Sequence, residues 1–281
     1  MKIVKTIDEV RLQVAAAKKN GKKIGFVPTM GALHAGHLSL MNQAKDECGY
    51  VIVSIFVNPT QFGPSEDFSS YPRDLSADAE KCKSVGIDLI FAPEVEEMYP
   101  VKNRCWVTVE GKLTDSLCGA NRPGHFRGVT TVCTKLFNIV QPDIAFFGQK
   151  DAQQAAVLKA MVKDTNLPLE VRVCPIIREK SGLAMSSRND YLSAEERQQA
   201  SILYKSLCKC EDSYNSGCKN VEKLKETIKS TIAECKIAQP DYIEIVDFET
   251  LEPIETVERT ALAAIAVKIG PARLIDNVLL K

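Results

Sequence analysis

Short apolar runs alternate with longer stretches of helical periodicity through much of this 281-residue chain. The most continuous run, YVIVSIFV at residues 50–57, is rich in β-branched residues, which is typical of a central strand buried on both faces. Because such runs recur between predicted helices, the pattern predicts an α/β fold with a doubly wound parallel sheet. The predicted strands are 24–27, 50–57, 88–91, 144–147 and 170–173, with 106–110 as a further alternating strand.

The first predicted helix begins with a capping box, in which Thr6 is the N-cap and Glu9 reaches back to it. The pattern changes after residue 176, where two amphipathic helices precede three strands. That order is typical of a smaller α+β domain, so we expect two domains, at 1–176 and 177–281. Helices are predicted at 6–20, 36–47, 74–85, 129–140, 151–165, 193–212 and 219–236, and C-terminal strands at 242–246, 263–267 and 274–278.

The stretch GFVPTMGALHAGHLSL at 25–40 combines the end of a strand, a glycine-containing turn and the start of a helix. This geometry presents backbone N–H groups and the positive end of the helix dipole to an anion, usually phosphate. His34 and His37 share one face of the first helical turn, and Gly36 leaves room for a flat ligand. The alternative is an ordinary strand–helix turn with two solvated histidines. Zinc is disfavoured, because the spacing is not i,i+4 and no CxxC pair accompanies it.

Two polar loops also suit ligand binding. Asn58 and Gln61 follow the strand predicted at 50–57, at the sheet edge where open α/β folds bind ligands; plain turn chemistry is the alternative. The glycine-rich loop at 121–128 carries Arg122, whose planar fork can bind a carboxylate or phosphate through two hydrogen bonds. Its alternative is a surface turn before a helix.

Two further segments suit a polyphosphate. Lys150 follows the strand predicted at 144–147 and a glycine, where its ammonium group could reach phosphates; a helix start favoured by Asp151 is the alternative. The segment SGLAMSSRN at 181–189 combines serine hydroxyls with Arg188. A bare interdomain linker is the alternative.

Composition narrows the function classes. Lys+Arg and Asp+Glu are both 36, so the formal net charge is zero, which argues against a general nucleic-acid binder. The ten cysteines form no metal-binding pattern, and without a recognisable signal peptide we expect a reducing, cytoplasmic environment. No apolar run reaches the length of a membrane span.

The string HAGH at 34–37, placed after a first strand, resembles the signature of the nucleotidyltransferase superfamily, which includes class I aminoacyl-tRNA synthetases. The longer string PTMGALHAGHLSL is similar to the pantothenate synthetase (pantoate–β-alanine ligase) family, and later segments extend the resemblance over nearly the whole chain. The resemblance implies a Rossmann-like, HIGH-type nucleotidyltransferase fold and a homodimer. It also implies ligation of pantoate to β-alanine through a pantoyl adenylate, with ATP as substrate and Mg²⁺ as its companion ion.

The resemblance also assigns residues by position. One departure is Gln149, which stands where the family usually has Glu in the sequence GEKD. For the segment at 181–189, the resemblance implies a mobile loop analogous to the KMSKS loop of the superfamily. The implied catalytic residues are His34, His37, Lys150 and Arg188; the remaining ATP-binding residues are Met30, Gly31, Ala32, Leu33, Ala35, Gly36, Gly148, Gln149, Asp151, Ile177, Met185, Ser186 and Ser187; the substrate-binding residues are Gln61, Gln154, Asn58 and Arg122; and the metal-associated residue is Asp78, for which a solvated helix face is the alternative.

Two other functions share parts of this pattern. An aminoacyl-tRNA synthetase fragment would share the HxGH step, but the chain has neither the room nor the net positive charge for an RNA-binding region; retention of labelled tRNA would revive this alternative. A non-catalytic regulator would bind ATP without turning it over, so pyrophosphate release separates it from a ligase.

Overall fold

Among the residues that the structure describes, six parallel strands form the larger of two sheets. The structure is a computed structural model that describes residues 1–64, 66–101 and 105–281. The strands of this sheet are β1 (Lys2–Val4), β2 (Ile24–Thr29), β3 (Tyr50–Ile55), β4 (Leu89–Phe91), β5 (Ile144–Gly148) and β6 (Glu170–Cys174), in the order β1-β4-β3-β2-β5-β6. Their connecting helices are α1 (Ile7–Lys19), α2 (Ala35–Glu47), α3 (Leu75–Ser84), α4 (Val95–Met98), α5 (Lys112–Asp115), α6 (Leu117–Asn121), α7 (His125–Val140) and α8 (Ala152–Asp164).

The strand order has one switch point, which lies beside β2. From β2 the chain adds β3 and β4 on one side, and it later adds β5 and β6 on the other. In such sheets the ligand crevice lies at the carboxyl ends of the strands next to the switch. The turn after β2 therefore occupies the position where a ligand site is expected.

Both faces of the sheet are covered. Alternate residues of β2 enter different cores: Phe26 packs among residues of α1, α7 and α8, and Val27 packs with residues of α2 and α3. Such alternation follows from the two-residue period of a strand. The predicted doubly wound parallel sheet is thus confirmed, and the apolar runs are continuous because neither face meets water.

A second sheet is antiparallel and has the order β7-β8-β9. Helix α9 spans Ala194–Gln199, α10 spans Ile202–Asn215 and α11 spans Val221–Ile232; the strands are β7 (Gln239–Asp247), β8 (Ala261–Ile269) and β9 (Ala272–Leu280). These helices and strands share their own apolar core. The predicted smaller α+β fold is confirmed.

The chain divides into two compact units, each with its own core. The N-terminal unit consists of Met1–Glu110, Asn121–Gly148 and Gln154–Pro175, and the C-terminal unit consists of Gly111–Ala120, Gln149–Gln153 and Ile176–Lys281. Two short segments of the earlier sequence thus pack with the C-terminal residues. The domain boundary at residue 176 stays a prediction.

Two local predictions were wrong, and one strand was not predicted. Residues 106–110 form no strand; instead, the N–H of Val107 donates to Thr131 Oγ1 (3.1 Å) and its carbonyl accepts from Thr130 Oγ1, so helix hydroxyls replace a neighbouring strand. The helix predicted at 193–212 is interrupted where the N–H and Oγ of Ser201 both donate to the Gln198 carbonyl, a local bond that competes with the helical pattern. Edge strand β1 was missed, because its three residues are too few to show a period.

Candidate active site

The turn after β2 is held in an unusual backbone conformation by a buried carboxylate. Gly31 has φ +85°, and Ala32, which is not glycine, has φ +49°. Asp78 on α3 accepts the N–H of Ala32 through Oδ2 (2.9 Å) and that of Leu33 through Oδ1 (2.8 Å). Positive φ at a non-glycine residue is costly and persists where neighbours impose it. The carboxylate is therefore a brace for this turn.

Gly31 is required for this brace as well. A Cβ at residue 31 would lie 2.9 Å from Asp78 Oδ2 and 3.2 Å from Ile55 Cγ2. Lys81, also on α3, donates from Nζ to the Leu33 carbonyl (2.6 Å). The first turn of the site is thus fixed from α3, about 45 residues away in sequence, as the separation of Leu33 and Asp78 shows.

The predicted association of Asp78 with a metal is not supported by a ligand set. Asp78 is only 2% exposed, and both its oxygens accept backbone N–H groups. Among the described residues, no group of three or more His, Cys, Asp or Glu side chains could hold a metal ion. Because Mg²⁺ is commonly held by one or two carboxylates together with substrate phosphates and water, the metal association of Asp78 stays a prediction.

The two predicted histidines cap helix α2 reciprocally. His34 is the N-cap, and its Nδ1 accepts the N–H of Gly36 (3.1 Å). His37, three residues later, accepts the N–H of His34 through its own Nδ1 (3.3 Å). This is the geometry of a capping box, here built by imidazoles. The ring centroids lie 4.1 Å apart, so both rings occupy the same face of the first turn.

This capping arrangement fixes the hydrogen on each ring. A nitrogen that accepts a backbone N–H cannot carry a hydrogen of its own, so Nδ1 of His34 and of His37 is unprotonated. The neutral rings then carry their hydrogen on Nε2. The start of α2 thus holds two imidazole N–H donors in addition to its dipole.

Gln61 is positioned by a buried amide. Asn58 is 1% exposed, caps the short 3-10 helix Pro59–Gln61, and donates from Nδ2 to Gln61 Oε1 (3.0 Å). Gln61 Nε2 in turn lies 3.2 Å from Met30 Sδ. The amide of half-buried Gln61 is therefore oriented on the loop beside the β2 turn. Asn58 thus fixes the orientation of the Gln61 amide, and its predicted contact with substrate stays a prediction.

The loop carrying Arg122 also supports Gln61. His125 Nδ1 lies 2.8 Å from the Gln61 carbonyl, which can only accept, so Nδ1 carries the hydrogen. His125 Nε2 then accepts from Arg122 Nη1 (2.9 Å), and the remaining fork of Arg122 binds both oxygens of Glu66 at 2.7 Å. A chain of contacts thus runs from Glu66 to the Gln61 backbone.

Within this set of contacts, the negative charge of Glu66 is paired with the positive charge of Arg122. Burial alone would raise the pKa of Glu66, but the hydrogen bond and charge of Arg122 outweigh it and leave the pKa below its ordinary value. Arg122 thus has two partners within the protein. These contacts favour a supporting role, and its predicted contact with substrate stays a prediction.

Lys150 belongs to a turn in the C-terminal unit, where Gln149–Asp151 form a 3-10 helix directly after β5. Its side chain is 21% exposed, with Nζ 3.9 Å from Asp151 Oδ2. Asn277 on β9 donates from Nδ2 to the carbonyls of Gln149 (3.0 Å) and Lys150 (3.1 Å). Gln149 Nε2 returns a hydrogen bond to Asn277 Oδ1 (3.3 Å), a bond that an ionised Glu at 149 could not donate.

The segment that carries Arg188 begins with a tight hairpin. Met185 N–H donates to the Ile177 carbonyl (2.9 Å), and Arg178 and Ala184 form an antiparallel bridge. The chain then enters the 3-10 helix Ser187–Tyr191, in which Ser186 caps the N–H of Arg188 (3.2 Å). The segment is thus built by local hydrogen bonds, which a bare linker would lack. Its mobility stays a prediction.

The end of this segment is fixed by Asn189, which is 1% exposed. Its Nδ2 donates to Glu179 Oε1 (2.8 Å) and to the Ala184 carbonyl (3.1 Å). Glu179 also pairs with Arg197, whose hydrogen bond lowers the pKa of this carboxyl although burial opposes it. Asn189 therefore anchors the segment that carries Arg188.

The predicted site residues gather in two sets, one in each unit. In the N-terminal unit the structure connects the β2 turn and α2 start with Asn58, Gln61, Asp78 and Arg122, and Gln154 lies half-buried on α8. In the C-terminal unit it connects Gln149 and Lys150 to β9, and Ile177 to Met185. Sequence reasoning missed the supporting roles of Glu66 and His125, the ion pair of Asp276 with Arg178, and the contacts of Asn277. Two polar residues inside the apolar strand RLIDNVLL were the available signal for the last two.

Comparisons with known proteins agree with this picture. Residues 2–279 match the family described as pantoate-beta-alanine ligase. Pantothenate synthetases of Acetivibrio thermocellus and Pelotomaculum thermopropionicum are 52% and 54% identical, over 100% of this chain and 100% and 99% of theirs. The crystal structure of pantothenate synthetase from Thermus thermophilus is 44% identical, with a TM-score of 0.95 over 99% of each chain.

A further solved structure carries ligands. Pantoate-beta-alanine ligase from Francisella tularensis, described as complexed with beta-gamma ATP and beta-alanine, is 37% identical, with a TM-score of 0.82 over 99% of this chain and 97% of that one. The family match, the identity of the relatives and the likeness of fold all extend over nearly the whole chain. The chain belongs to the pantoate–β-alanine ligase family.

Proposed function

We propose that the chain condenses (R)-pantoate with β-alanine in the two steps of its family's reaction. In the first, a pantoate carboxylate oxygen attacks the α-phosphorus of ATP, the bond from that phosphorus to the bridging oxygen breaks, and pyrophosphate leaves. In the second, the β-alanine nitrogen attacks the acyl carbon of pantoyl adenylate and AMP leaves with the former carboxylate oxygen. Family membership and the ligand-bound relative support this assignment.

Activation by adenylation answers a chemical problem. A carboxylate does not react usefully with an amine at neutral pH, because an oxide or hydroxide would have to leave. AMP is a far better leaving group. The barrier to forming the adenylate lies in the charge that develops on the phosphate oxygens. Positioning and fixed hydrogen-bond donors therefore dominate catalysis. The enzyme needs no covalent nucleophile.

The two histidines of α2 supply such donors. Their Nδ1 atoms are occupied by helix capping, which directs the N–H of each ring to Nε2. We assign these donors to ATP phosphate oxygens, with Nε2 of His37 at the α-phosphate. The rigid capping arrangement supports this role, because a preorganised donor pays no reorganisation cost as charge develops.

Lys150 and Arg188 are assigned to the polyphosphate. Lysine acts as a point charge and arginine as a planar fork, and each residue is held by an ordered segment of the C-terminal unit. The other ATP contacts implied by the resemblance, at residues 30–36, 148–151, 177 and 185–187, are kept as proposals.

Pantoate binding is assigned to Gln61 and Gln154, with Asn58 and Arg122 in support. The fixed orientation of the Gln61 amide supports this, because an amide can both donate to and accept from a hydroxy acid. Neighbouring Gln153 has a structural role. Its Nε2 donates to the Leu113 and Ser116 carbonyls, and its Oε1 accepts the Cys118 N–H.

Three further properties are proposed on composition and resemblance. Mg²⁺ is expected to accompany ATP and to offset polyphosphate charge; none of the steps above is routed through it. A cytoplasmic location and a homodimer are likewise proposed. Among the described residues, no helix is both long and apolar enough to cross a membrane.

The reciprocal capping of His34 and His37 is the observation that carries the residue assignments. A direct test of the reaction is ATP consumption with pantoate and β-alanine, each omitted in turn, while AMP, ADP and pyrophosphate are measured. We expect AMP and pyrophosphate only when pantoate is present, and sustained turnover only with both substrates. Turnover independent of pantoate would contradict the proposal.

A further inference from the structure

Asn277 contacts the backbone that carries Lys150. It lies within β9, is 3% exposed, and donates both Nδ2 hydrogens to the consecutive carbonyls of Gln149 and Lys150, at 3.0 and 3.1 Å. Because carbonyls only accept, the amide cannot be turned over without losing both bonds. Gln149 Nε2 closes the arrangement by donating to Asn277 Oδ1 (3.3 Å).

Asp276, the residue before Asn277, anchors the segment that carries Arg188, the second side chain assigned to the polyphosphate. Asp276 is 2% exposed and binds Arg178 through two hydrogen bonds, of 2.6 and 3.0 Å. Arg178 also donates to the Gly182 carbonyl (3.1 Å), at the tip of the hairpin that leads to Arg188. Adjacent residues of one strand therefore hold the Lys150 turn and the Arg178 hairpin.

A buried asparagine in this position needs an explanation other than packing. On β9, Ala272, Leu274 and Leu280 belong to an apolar core and Val278 packs against it, but Asn277 is no part of that core. Burying an amide costs free energy unless it is fully hydrogen-bonded. Asn277 uses its amide on two consecutive carbonyls of the 3-10 helix Gln149–Asp151. The bonds fix the direction in which the Lys150 side chain leaves the backbone.

We propose that Asn277 is a positioning residue for Lys150, and that it sets the rate of the adenylation step by holding the Gln149–Lys150 turn. This inference rests on the proposed role of Lys150 at the polyphosphate. Asn277 touches neither substrate nor the reacting atoms; it acts through the backbone from which the ammonium group extends. Misplacing a catalytic group by about 1 Å can cost about a hundredfold in rate.

The test is a double-mutant cycle on single-turnover formation of pantoyl adenylate, with Asn277→Ala, Lys150→Met and the double variant. We expect Lys150→Met to lower the rate strongly and Asn277→Ala to lower it by about 10- to 100-fold, with little change in the pantoate concentration giving half-maximal rate. In the Lys150→Met background, Asn277→Ala should have almost no further effect, because no ammonium group is left to position.

Each other outcome is informative. If Asn277→Ala lowers the rate by the same factor in both backgrounds, Asn277 acts on something other than Lys150 and the inference is wrong. If Lys150→Met slows adenylation but Asn277→Ala does not, the inference fails while the proposed function stands. If Lys150→Met has no effect, the assigned role of Lys150 fails, and the inference fails with it.

A control and a milder variant guard against misfolding. Asn220→Ala removes another asparagine of the same unit, one that caps α11 through the Lys223 N–H (3.0 Å); it should lower the urea midpoint of unfolding and leave the adenylation rate unchanged. Gln149→Ala removes the half-buried amide that donates to Asn277 Oδ1 but keeps both backbone carbonyls that Asn277 binds. We expect a two- to tenfold slower step, roughly the value of one hydrogen bond, which again disappears in the Lys150→Met background. An unchanged rate in folded Gln149→Ala would oppose the inference.

Discussion

The two ring nitrogens of each histidine at the start of α2 have different roles. Nδ1 caps the helix and Nε2 is assigned to the phosphate. An alanine substitution would remove both functions together and confuse stability with catalysis. A variant that preserves one nitrogen position separates them.

His37→Asn makes that separation. Asparagine Oδ1 can accept the His34 N–H as Nδ1 does, but nothing replaces Nε2. We expect folding stability near that of the unchanged chain and a fall in adenylation rate of about two to three decades, equivalent to about 3 kcal/mol for one lost donor. Single-turnover kinetics and urea unfolding measure the two effects. A normal rate in the folded variant would leave His37 a purely structural cap.

Glu66 provides a pH-dependent prediction at the same scale. Its pKa in the folded chain lies below the ordinary value of 4.5, so the stabilisation is fully present above that value and is lost as pH falls through the folded-state pKa. Glu66→Gln should therefore destabilise the chain at pH 7 and do so less as the pH falls below about 4.5, the ordinary value for Glu.

Urea unfolding at pH 7 and at a pH below about 4.5 checks this prediction, with Glu80→Gln as the matched control. The Glu80–Lys83 pair is 3.8 Å apart and its side chains are 73% and 68% exposed, so little change is expected there. An effect of Glu66→Gln that is equal at both pH values would show that the ion pair is not the source of the stabilisation.

Among the elements, helix α7 packs most tightly against the Gln61 loop at Gly128. A Cβ on Gly128 would lie 2.3 Å from the Thr60 carbonyl oxygen and 2.6 Å from Gln61 Cα. Both are backbone atoms, so relief requires the 3-10 helix Pro59–Gln61 to move. The Gly128 carbonyl also accepts from Asn58 Nδ2 (3.2 Å), which ties the same loop to α7.

Gly128→Ala is therefore expected to displace Gln61. We predict a loss of about 1–3 kcal/mol in stability from overpacking, together with weaker pantoate binding. Gly49→Ala is the matched control, because its nearest neighbour, Lys22 Cβ, would be at an ordinary 3.5 Å. Isothermal calorimetry with pantoate and urea unfolding measure both quantities. Unchanged pantoate affinity in Gly128→Ala would separate α7 packing from substrate binding.

The elements also show how far sequence reasoning reaches. Local signals predicted the capping box at Thr6, which the structure confirms, and the HAGH turn with its helix. The Asp78 brace, the Glu66–Arg122 pair and the Asn277 contact join residues 45, 56 and 127 to 128 positions apart. No local period reports such contacts, so the partners could not be derived from the sequence.

At the scale of the whole molecule, the alternation of apolar runs predicted the doubly wound sheet because burial on both faces leaves a continuous pattern. The sequence did not indicate that 111–120 and 149–153 pack with the C-terminal unit. Chain order suggests that neighbours in sequence fold together, whereas packing of short helices depends on distant partners. Lys150 illustrates this, since it follows β5 in sequence but is held by β9.

The central claim is that pantoate is activated as an adenylate before β-alanine reacts. It is tested most directly by exchange of labelled pyrophosphate into ATP, with pantoate present and β-alanine absent. Adenylation is reversible and precedes amide formation, so we predict exchange that requires pantoate and that is lost in His37→Asn. Release of ADP and orthophosphate, with no exchange of pyrophosphate, would instead indicate an acyl phosphate and would contradict the account.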